Sequence, residues 1–287
     1  MSPQHVPDAP TAGSIKLSKK QSPRNEFLLR TATALIFGPI VLLAIYFGSP
    51  WIDVLMLVAG GIMAWELTKL VTSNVWGASH TITVATTPAA IFFLATGEIK
   101  YFALSVGIGA IGSLLLMKSE KRERLLWLIV GAIYIPTACG GFILICTYPF
   151  DGKWIALWLV AVVIATDIGA YALGKTFGGP KLAPTISPGK TWTGLAGGVI
   201  AAYVVGYVVN TFLGDPVGSF AHTGGVIAAI AQTGDLFESA LKRSCDVKDT
   251  SNILPGHGGL LDRADGFLAV SLVVTVVIWL QVEALLN

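Results

Sequence analysis

The sequence predicts an all-α, polytopic integral membrane protein with nine transmembrane helices, and three observations lead there. Hydrophobic residues make up 54% of the 287 and charged residues only 13%, with a mean hydropathy of +0.71. The apolar residues gather in runs of roughly 17–25, the length at which a helix crosses a bilayer. The runs are continuously apolar rather than alternating, which argues against a β-barrel, and in hydrocarbon a helix pairs its own backbone polar groups. The net charge of +2 is small and gives no sign of nucleic acid as a partner.

Residues 1–25 are polar, rich in Pro and Ser, and carry Lys16, Lys19, Lys20 and Arg24. They are expected to form a disordered basic cytoplasmic tail rather than a signal peptide. The spans that follow are expected near 30–48, 51–71, 81–96, 101–117, 125–147, 155–173, 194–213, 221–241 and 265–285. The third is the weakest, being short and containing Thr81, Thr83, Thr86 and Thr87. If it and the fourth were re-entrant, the sidedness of later elements would not change, because the two come as a pair. The spans divide into N-terminal helices over 26–150 and a C-terminal transmembrane region over 151–287 that carries the polar stretches.

Basic residues set the orientation, because Lys and Arg concentrate in cytoplasmic loops. With the N-terminus inside, 17 of the 19 basic residues face the cytoplasm and only Lys100 and Lys153 lie outside. The C-terminus is then outside. Cys139 and Cys146 stand in an apolar run and are expected to be core residues. No Cys spacing resembles a zinc site or requires a disulfide.

Charge is concentrated in one place. Ten of the Asp, Glu, Lys and Arg residues stand between Gly234 and Gly266, with apolar runs on both sides. Such a cluster in so apolar a chain marks a reaction or transport site. Asp262 and Asp265 are three apart at the start of the last span, so they share a helix face at its N-terminal turn. Two carboxylates there suit Mg²⁺, which takes one or two carboxylates plus substrate phosphates, and they equally suit plain helix capping. Asp235 lies inside the eighth span, where a charge needs a partner: a cation shared with Asp262 and Asp265, or a nearby Lys or Arg. Ser239 and Lys242 follow it on one helix face. Lys242, Arg243 and Lys248 fit phosphate contacts or anchoring at lipid headgroups. His257 stands in a Pro-Gly-His-Gly-Gly turn, where it would contact a phosphate or merely brace the turn. The flexible Gly258 and Gly259 lead into a helix N-terminus, a natural phosphate position.

A second polar stretch runs from Gly174 to Gly194. Asp167 and Tyr171 precede it, and Lys175, Ser187, Lys190 and Thr191 lie within it. Gly-Lys-Thr occurs twice, but neither copy belongs to GxxxxGK[ST], so a P-loop is rejected. Acids for a divalent cation beside bases and glycines for phosphate point to a nucleotide or phospholipid site.

Ser239-Ala-Leu-Lys242-Arg243, then Lys248-Asp249, then Leu-Pro-Gly-His257-Gly-Gly-Leu-Leu-Asp262-Arg263-Ala-Asp265 resembles the signature of the CDP-diacylglycerol synthases, or phosphatidate cytidylyltransferases. Asp167-x-x-Ala-Tyr171-x-x-Gly174-Lys175-x-x-Gly and Ser187-Pro188-x-Lys190-Thr191 are similar to that family too. The resemblance runs from Asp167 to the C-terminus and is unspecific before it. Ala264 and Thr193 depart from the usual pattern.

The resemblance implies CTP and phosphatidic acid as substrates, CDP-diacylglycerol and pyrophosphate as products, and Mg²⁺, with a second cation left open. It implies metal binding by Asp235, Asp262 and Asp265. Catalytic positions are Asp235, Lys242, Arg243, Lys248, Asp249, His257, Asp262 and Asp265. Substrate positions are Asp167, Tyr171, Lys175, Ser187, Lys190, Thr191, Ser239, Gly258, Gly259 and Arg263. It places the protein in a bacterial inner membrane with the site facing the cytoplasm, and a homodimer is open. The rivals are a CTP-dependent lipid kinase of the polyprenol or phytol type, and an ion-coupled transporter using Asp167 and Asp235. An inverted-repeat transporter is disfavoured because no internal repeat is visible.

Overall fold

A computed structural model describes residues 23–72, 77–116, 122–149, 151–213, 219–254 and 258–286. The expected tail lies almost wholly outside these residues, and so does His257. The described chain contains nine helices: α1 (Pro23–Phe47), α2 (Trp51–Thr72), α3 (Ala78–Ala95), α4 (Ile99–Leu116), α5 (Arg122–Cys146), α6 (Gly152–Phe177), α7 (Trp192–Leu213), α8 (Ser219–Ser244) and α9 (Leu261–Leu286). Seven of them, α2 to α7 and α9, contain stretches long and apolar enough to cross a membrane. In α1 only the shorter stretch Leu35–Phe47 is strongly apolar. Gln232, Asp235, Glu238, Lys242 and Arg243 all lie on α8, which is why it falls short of a simple apolar span.

The third expected span forms one continuous helix despite its Thr content. The hydrogen bonds of these residues explain why. Thr83, Thr86 and Thr87 return their hydroxyl hydrogens to carbonyls four residues earlier. Thr83 also meets Ser113 of α4, and His80 Nδ1 lies 2.7 Å from Thr68 Oγ1 of α2. Polar residues here join helices without leaving unpaired groups in an apolar setting.

Two groups of helices make the molecule. α2, α3, α4 and α5 pack together, as do α6, α7, α8 and α9, and α5 joins the groups by lying against α9. The core at this junction includes Ile91, Leu128, Ile135, Phe142, Leu159 and Leu268, all fully buried. Phe142 of α5 meets Phe267 of α9 edge-on at 4.7 Å between ring centres. Cys139 and Cys146 are buried here as expected.

Small residues let the second group close up. A Cβ on Gly169 of α6 would lie 2.5 Å from the Gly197 carbonyl of α7, and one on Gly197 would lie 2.5 Å from the Gly169 carbonyl. The two backbones therefore touch, as they do where membrane helices cross on small residues.

The stretch after α6 holds a feature not expected from the sequence, an antiparallel hairpin of β1 (Lys181–Ala183) and β2 (Ser187–Thr191). Lys181 pairs with Thr191 and Ala183 with Ser187. α6 stops at Gly178, whose φ of 62° suits glycine, and Gly178 N–H bonds the Gly174 carbonyl at 3.1 Å. α7 starts directly after β2, with Thr191 as its cap: Thr191 Oγ1 accepts the Gly194 N–H at 3.1 Å. The hairpin packs against α7 and α8 and so carries Lys190 to the side of α8.

Candidate active site

The crossing of α8 and α9 builds the acidic centre. A Cβ on Gly234 would stand 2.6 Å from the Asp265 carbonyl, and one on Gly266 would stand 2.9 Å from Asp235 Oδ1. These two glycines sit beside the two acids in sequence. The same close approach that needs glycine therefore brings Asp235 and Asp265 together. The Asp265 carboxyl is a close neighbour of both Asp235 and Glu238. Gly266 N–H holds Asp265 Oδ1 at 2.9 Å.

Two lysines balance this acid cluster from opposite sides. Lys190 Nζ lies 2.7 Å from Asp235 Oδ2 and also reaches the Gln232 carbonyl at 3.5 Å. Lys242 Nζ lies 2.9 Å from Asp262 Oδ1 and 3.2 Å from Glu238 Oε2. Lys242, near the end of α8, thus bridges both acids.

Asp262 does not join Asp235 as the sequence led us to expect. Its Oδ2 accepts three hydrogen bonds at 2.9 Å, from Thr250 N–H, Thr250 Oγ1 and Gly259 N–H. With Lys242 on Oδ1, both oxygens are engaged in holding the loop between α8 and α9. Glu238 takes the place beside Asp235 and Asp265 instead. Its Oε1 is buried with no hydrogen-bond partner.

Among the described residues, no group of three or more His, Cys, Asp or Glu side chains is arranged to hold a metal ion. A magnesium ion does not need three, since it usually takes one or two carboxylates plus phosphate oxygens. Asp235 and Asp265, with the unpartnered Glu238 Oε1 beside them, are hard oxygen donors of the right kind.

Beside the acids, a cleft of about 330 Å³ opens between α6, β2, α7 and α8. Asp167, Tyr171, Lys175, Lys190, Thr191 and Asp235 all line it, together with Gln232 and the small residues Gly174, Gly189 and Gly194. The cleft thus brings together six of the residues picked from sequence, drawn from two stretches far apart in the chain. Lys175 Nζ lies 2.9 Å from Tyr171 Oη and 5.1 Å from the centre of its ring. The exposed Arg263 is within electrostatic reach of Asp167.

The remaining candidates stand elsewhere or act on the scaffold. Arg243 donates from Nε to the Ile186 carbonyl and from Nη1 to the Val247 carbonyl, each at 3.3 Å, and so ties the hairpin to the loop after α8. Ser187 is a paired residue of β2. Ser239 is half-buried on α8, one turn beyond Asp235, and Lys248 and Asp249 are exposed on the loop.

The amides of Gly258 and Gly259 were expected to face a phosphate. Here Gly258 N–H bonds the Leu254 carbonyl at 3.1 Å and Gly259 N–H bonds Asp262. The φ of 88° at Gly258 shows why glycine stands there. Thr193, the departure from the family pattern, donates to the Gly178 carbonyl and meets Thr191 Oγ1 at 3.0 Å, so it stitches α6 to α7.

Two acids were missed. Glu238 carried a signal, since it lies three residues after Asp235 on the same helix. Glu66 of α2 also carried one, an ionisable residue inside a predicted span. It is fully buried and accepts hydrogen bonds from the α8–α9 loop.

Comparison with known proteins finds relatives over most of the chain. A phosphatidate cytidylyltransferase of Brucella suis is 33% identical over 248 residues, covering 84% of this chain and 89% of that protein. One from Haemophilus influenzae is 43% identical over 127 residues, 42% of this chain and 44% of that protein. One from Mycobacterium bovis is 38% identical over 154 residues, 52% of this chain and 49% of that protein. The profile of the cytidylyltransferase family matches residues 28–281, both helix groups and the cleft included, and the chain belongs to that family.

Proposed function

We propose that this protein transfers the cytidylyl group of CTP to phosphatidic acid, giving CDP-diacylglycerol and pyrophosphate. The observation that carries this reading is the cleft in which Lys175 and Lys190 face Asp167 and Asp235 beside the Asp235–Asp265 pair. Both substrates are polyanions and repel each other, so the site must supply positive charge and fixed donors where negative charge develops. Family membership and the names of the relatives support the substrate pair.

In the reaction an oxygen of the lipid phosphate bonds to the α-phosphorus of CTP, and the bond from that phosphorus to the β-phosphate bridging oxygen breaks. Pyrophosphate leaves with the bonding electrons. The lipid phosphate is already ionised at neutral pH, so no residue needs to remove a proton from it. Lys190, steered by Asp235, presents its ammonium to the phosphates in the cleft. Lys175 stands at the Tyr171 side of the cleft and meets the phosphate chain there. Asp235 and Asp265, with Glu238 beside them, are the residues that would hold Mg²⁺, with a second cation left open. When bound, the ion neutralises phosphate charge and orients the two anions.

The membrane placement follows from the basic residues. The N-terminus lies in the cytoplasm, the C-terminus outside, and nine helices span the bilayer of a bacterial inner membrane. The cleft then opens to the cytoplasm, where CTP is dissolved, at the depth of the lipid phosphate. A lateral opening towards the inner leaflet would admit the lipid.

The test is to follow CTP labelled at the α-phosphate with phosphatidic acid and Mg²⁺ in detergent. Label should enter the lipid, and Asp265→Asn should lower that rate at least about 100-fold, the scale of losing a group that stabilises the transition state. Label released as free CDP with a lipid alcohol as acceptor would instead identify a kinase.

A further inference from the structure

We propose that Glu66, on α2 in the other helix group, is a positioning residue for the reaction: it fixes the α8–α9 loop and the first turn of α9, and thereby Asp262 and Asp265. The inference rests on the functional reading above, and it concerns a residue outside the sequence signature.

The first turn of a helix leaves backbone N–H groups without partners, and a side chain near the start usually accepts one of them. α9 has Leu260 just before it, whose side chain offers no acceptor. The acceptor comes instead from a residue 195 positions earlier in the chain. Glu66 Oε2 accepts the Leu261 N–H at 2.7 Å, and Oε1 accepts the Leu260 N–H at 2.9 Å and the Ser251 hydroxyl at 2.5 Å. Glu66 is completely buried. A carboxylate at a helix N-terminus, bonded through both oxygens, is a strong and directional fixture.

The neighbouring backbone is shaped around it. A Cβ on Gly259 would lie 2.8 Å from Glu66 Oε1 and 2.0 Å from Thr250 Oγ1, so only glycine lets the loop come this close. Asp262 grips the same loop from the α9 side through Thr250 and Gly259, and Lys242 ties Asp262 to α8. The loop is held between two carboxylates, one from each helix group. Glu66 sets where the first turn of α9 lies, and Asp262 and Asp265 sit in that turn and the next.

A residue serving stability alone would lower the melting temperature but leave the folded enzyme's rate unchanged. Glu66→Gln separates the roles. It keeps the shape, but its amide NH₂ faces an N–H that needs an acceptor. We expect faster hydrogen exchange at Leu260 and Leu261. We also expect kcat about 10-fold to 100-fold lower, as is usual for residues that orient a site from behind, with KM for CTP changed less than about 3-fold and Glu66→Asp recovering part of the rate.

Unchanged exchange, or a folded Glu66→Gln protein within about 2-fold of wild-type kcat, overturns the proposal. If Glu66→Gln is not recovered folded, Ser251→Ala removes one of the three bonds. A smaller shift in both readouts supports the proposal, and none overturns it. Wild-type protein that cannot turn over CTP overturns the functional reading and this inference together. An active wild type with an unaffected variant overturns this inference alone.

Discussion

At the scale of residues, the site is a row of charges in which three acids stand between two lysines. Lys190 pairs with Asp235, Asp235 and Glu238 flank Asp265, and Lys242 joins Glu238 to Asp262. Similar chemistry in the sequence thus splits into different roles. Asp262 has only 5% of its side chain exposed and spends both oxygens on the loop and on Lys242. Asp262→Ala should therefore act first on stability. It leaves Lys242 with one acid and frees three donors, and the loss should be about 3–5 kcal/mol, as for other broken buried ion pairs, measured by thermal unfolding in detergent. Lys190 faces the cleft, so Lys190→Ala should act on catalysis. A fall in kcat/KM for CTP on the order of 100-fold, with a melting temperature close to wild type, is expected from steady-state rates and a thermal scan.

At the scale of elements, the meeting of α8 and α9 brings the candidate acids together. Gly234 and Gly266 permit the approach, and the acids next to them become neighbours. Gly234→Ala places a methyl 2.6 Å from the Asp265 carbonyl if nothing moves. The helices must part, at a cost of about 1–3 kcal/mol, and Asp235 and Asp265 should separate with them. The variant should fold with a lower melting temperature and lose activity more steeply than stability. Equal activity per folded molecule would mean that the spacing of this pair does not matter to turnover. The β1–β2 hairpin is the other element of the site. A Pro- and Gly-rich segment with bases signals a loop, and its pairing of Lys181 with Thr191 depends on α7 and α8 as a support. That support is a tertiary fact, so the hairpin was not legible in sequence.

At the scale of the whole molecule, two helix groups meet along α5 and α9, and the cleft lies in the second group. An N-in, C-out chain makes a sided prediction. With the native cysteines replaced, a single Cys at Asp246 should react with a membrane-impermeant maleimide only from the cytoplasmic side, and one at Gly97 only from the outside. Labelling both from one side would overturn the orientation. Divalent cations give a second test of the whole assembly. Chelation should stop lipid labelling and added Mg²⁺ should restore it, with far-ultraviolet circular dichroism unchanged throughout.

The class of molecule, most helices and a candidate polar stretch were legible in the sequence. Apolar run length is a local property, and so is a concentration of charge in an apolar chain. Asp167, Lys175, Lys190 and Asp235 were legible for that reason, and the cleft brings them together. Which acids meet depends on how the helices pack. Asp262 and Asp265 are equivalent by spacing, yet one closes a loop and the other joins Asp235, because α8 crosses α9 at Gly234 and Gly266. Glu66 lies 195 residues from the amide it holds, and no local pattern encodes a bond of that span. It exists because the packing of the two helix groups brings a buried carboxylate to a helix end that lacks its own acceptor.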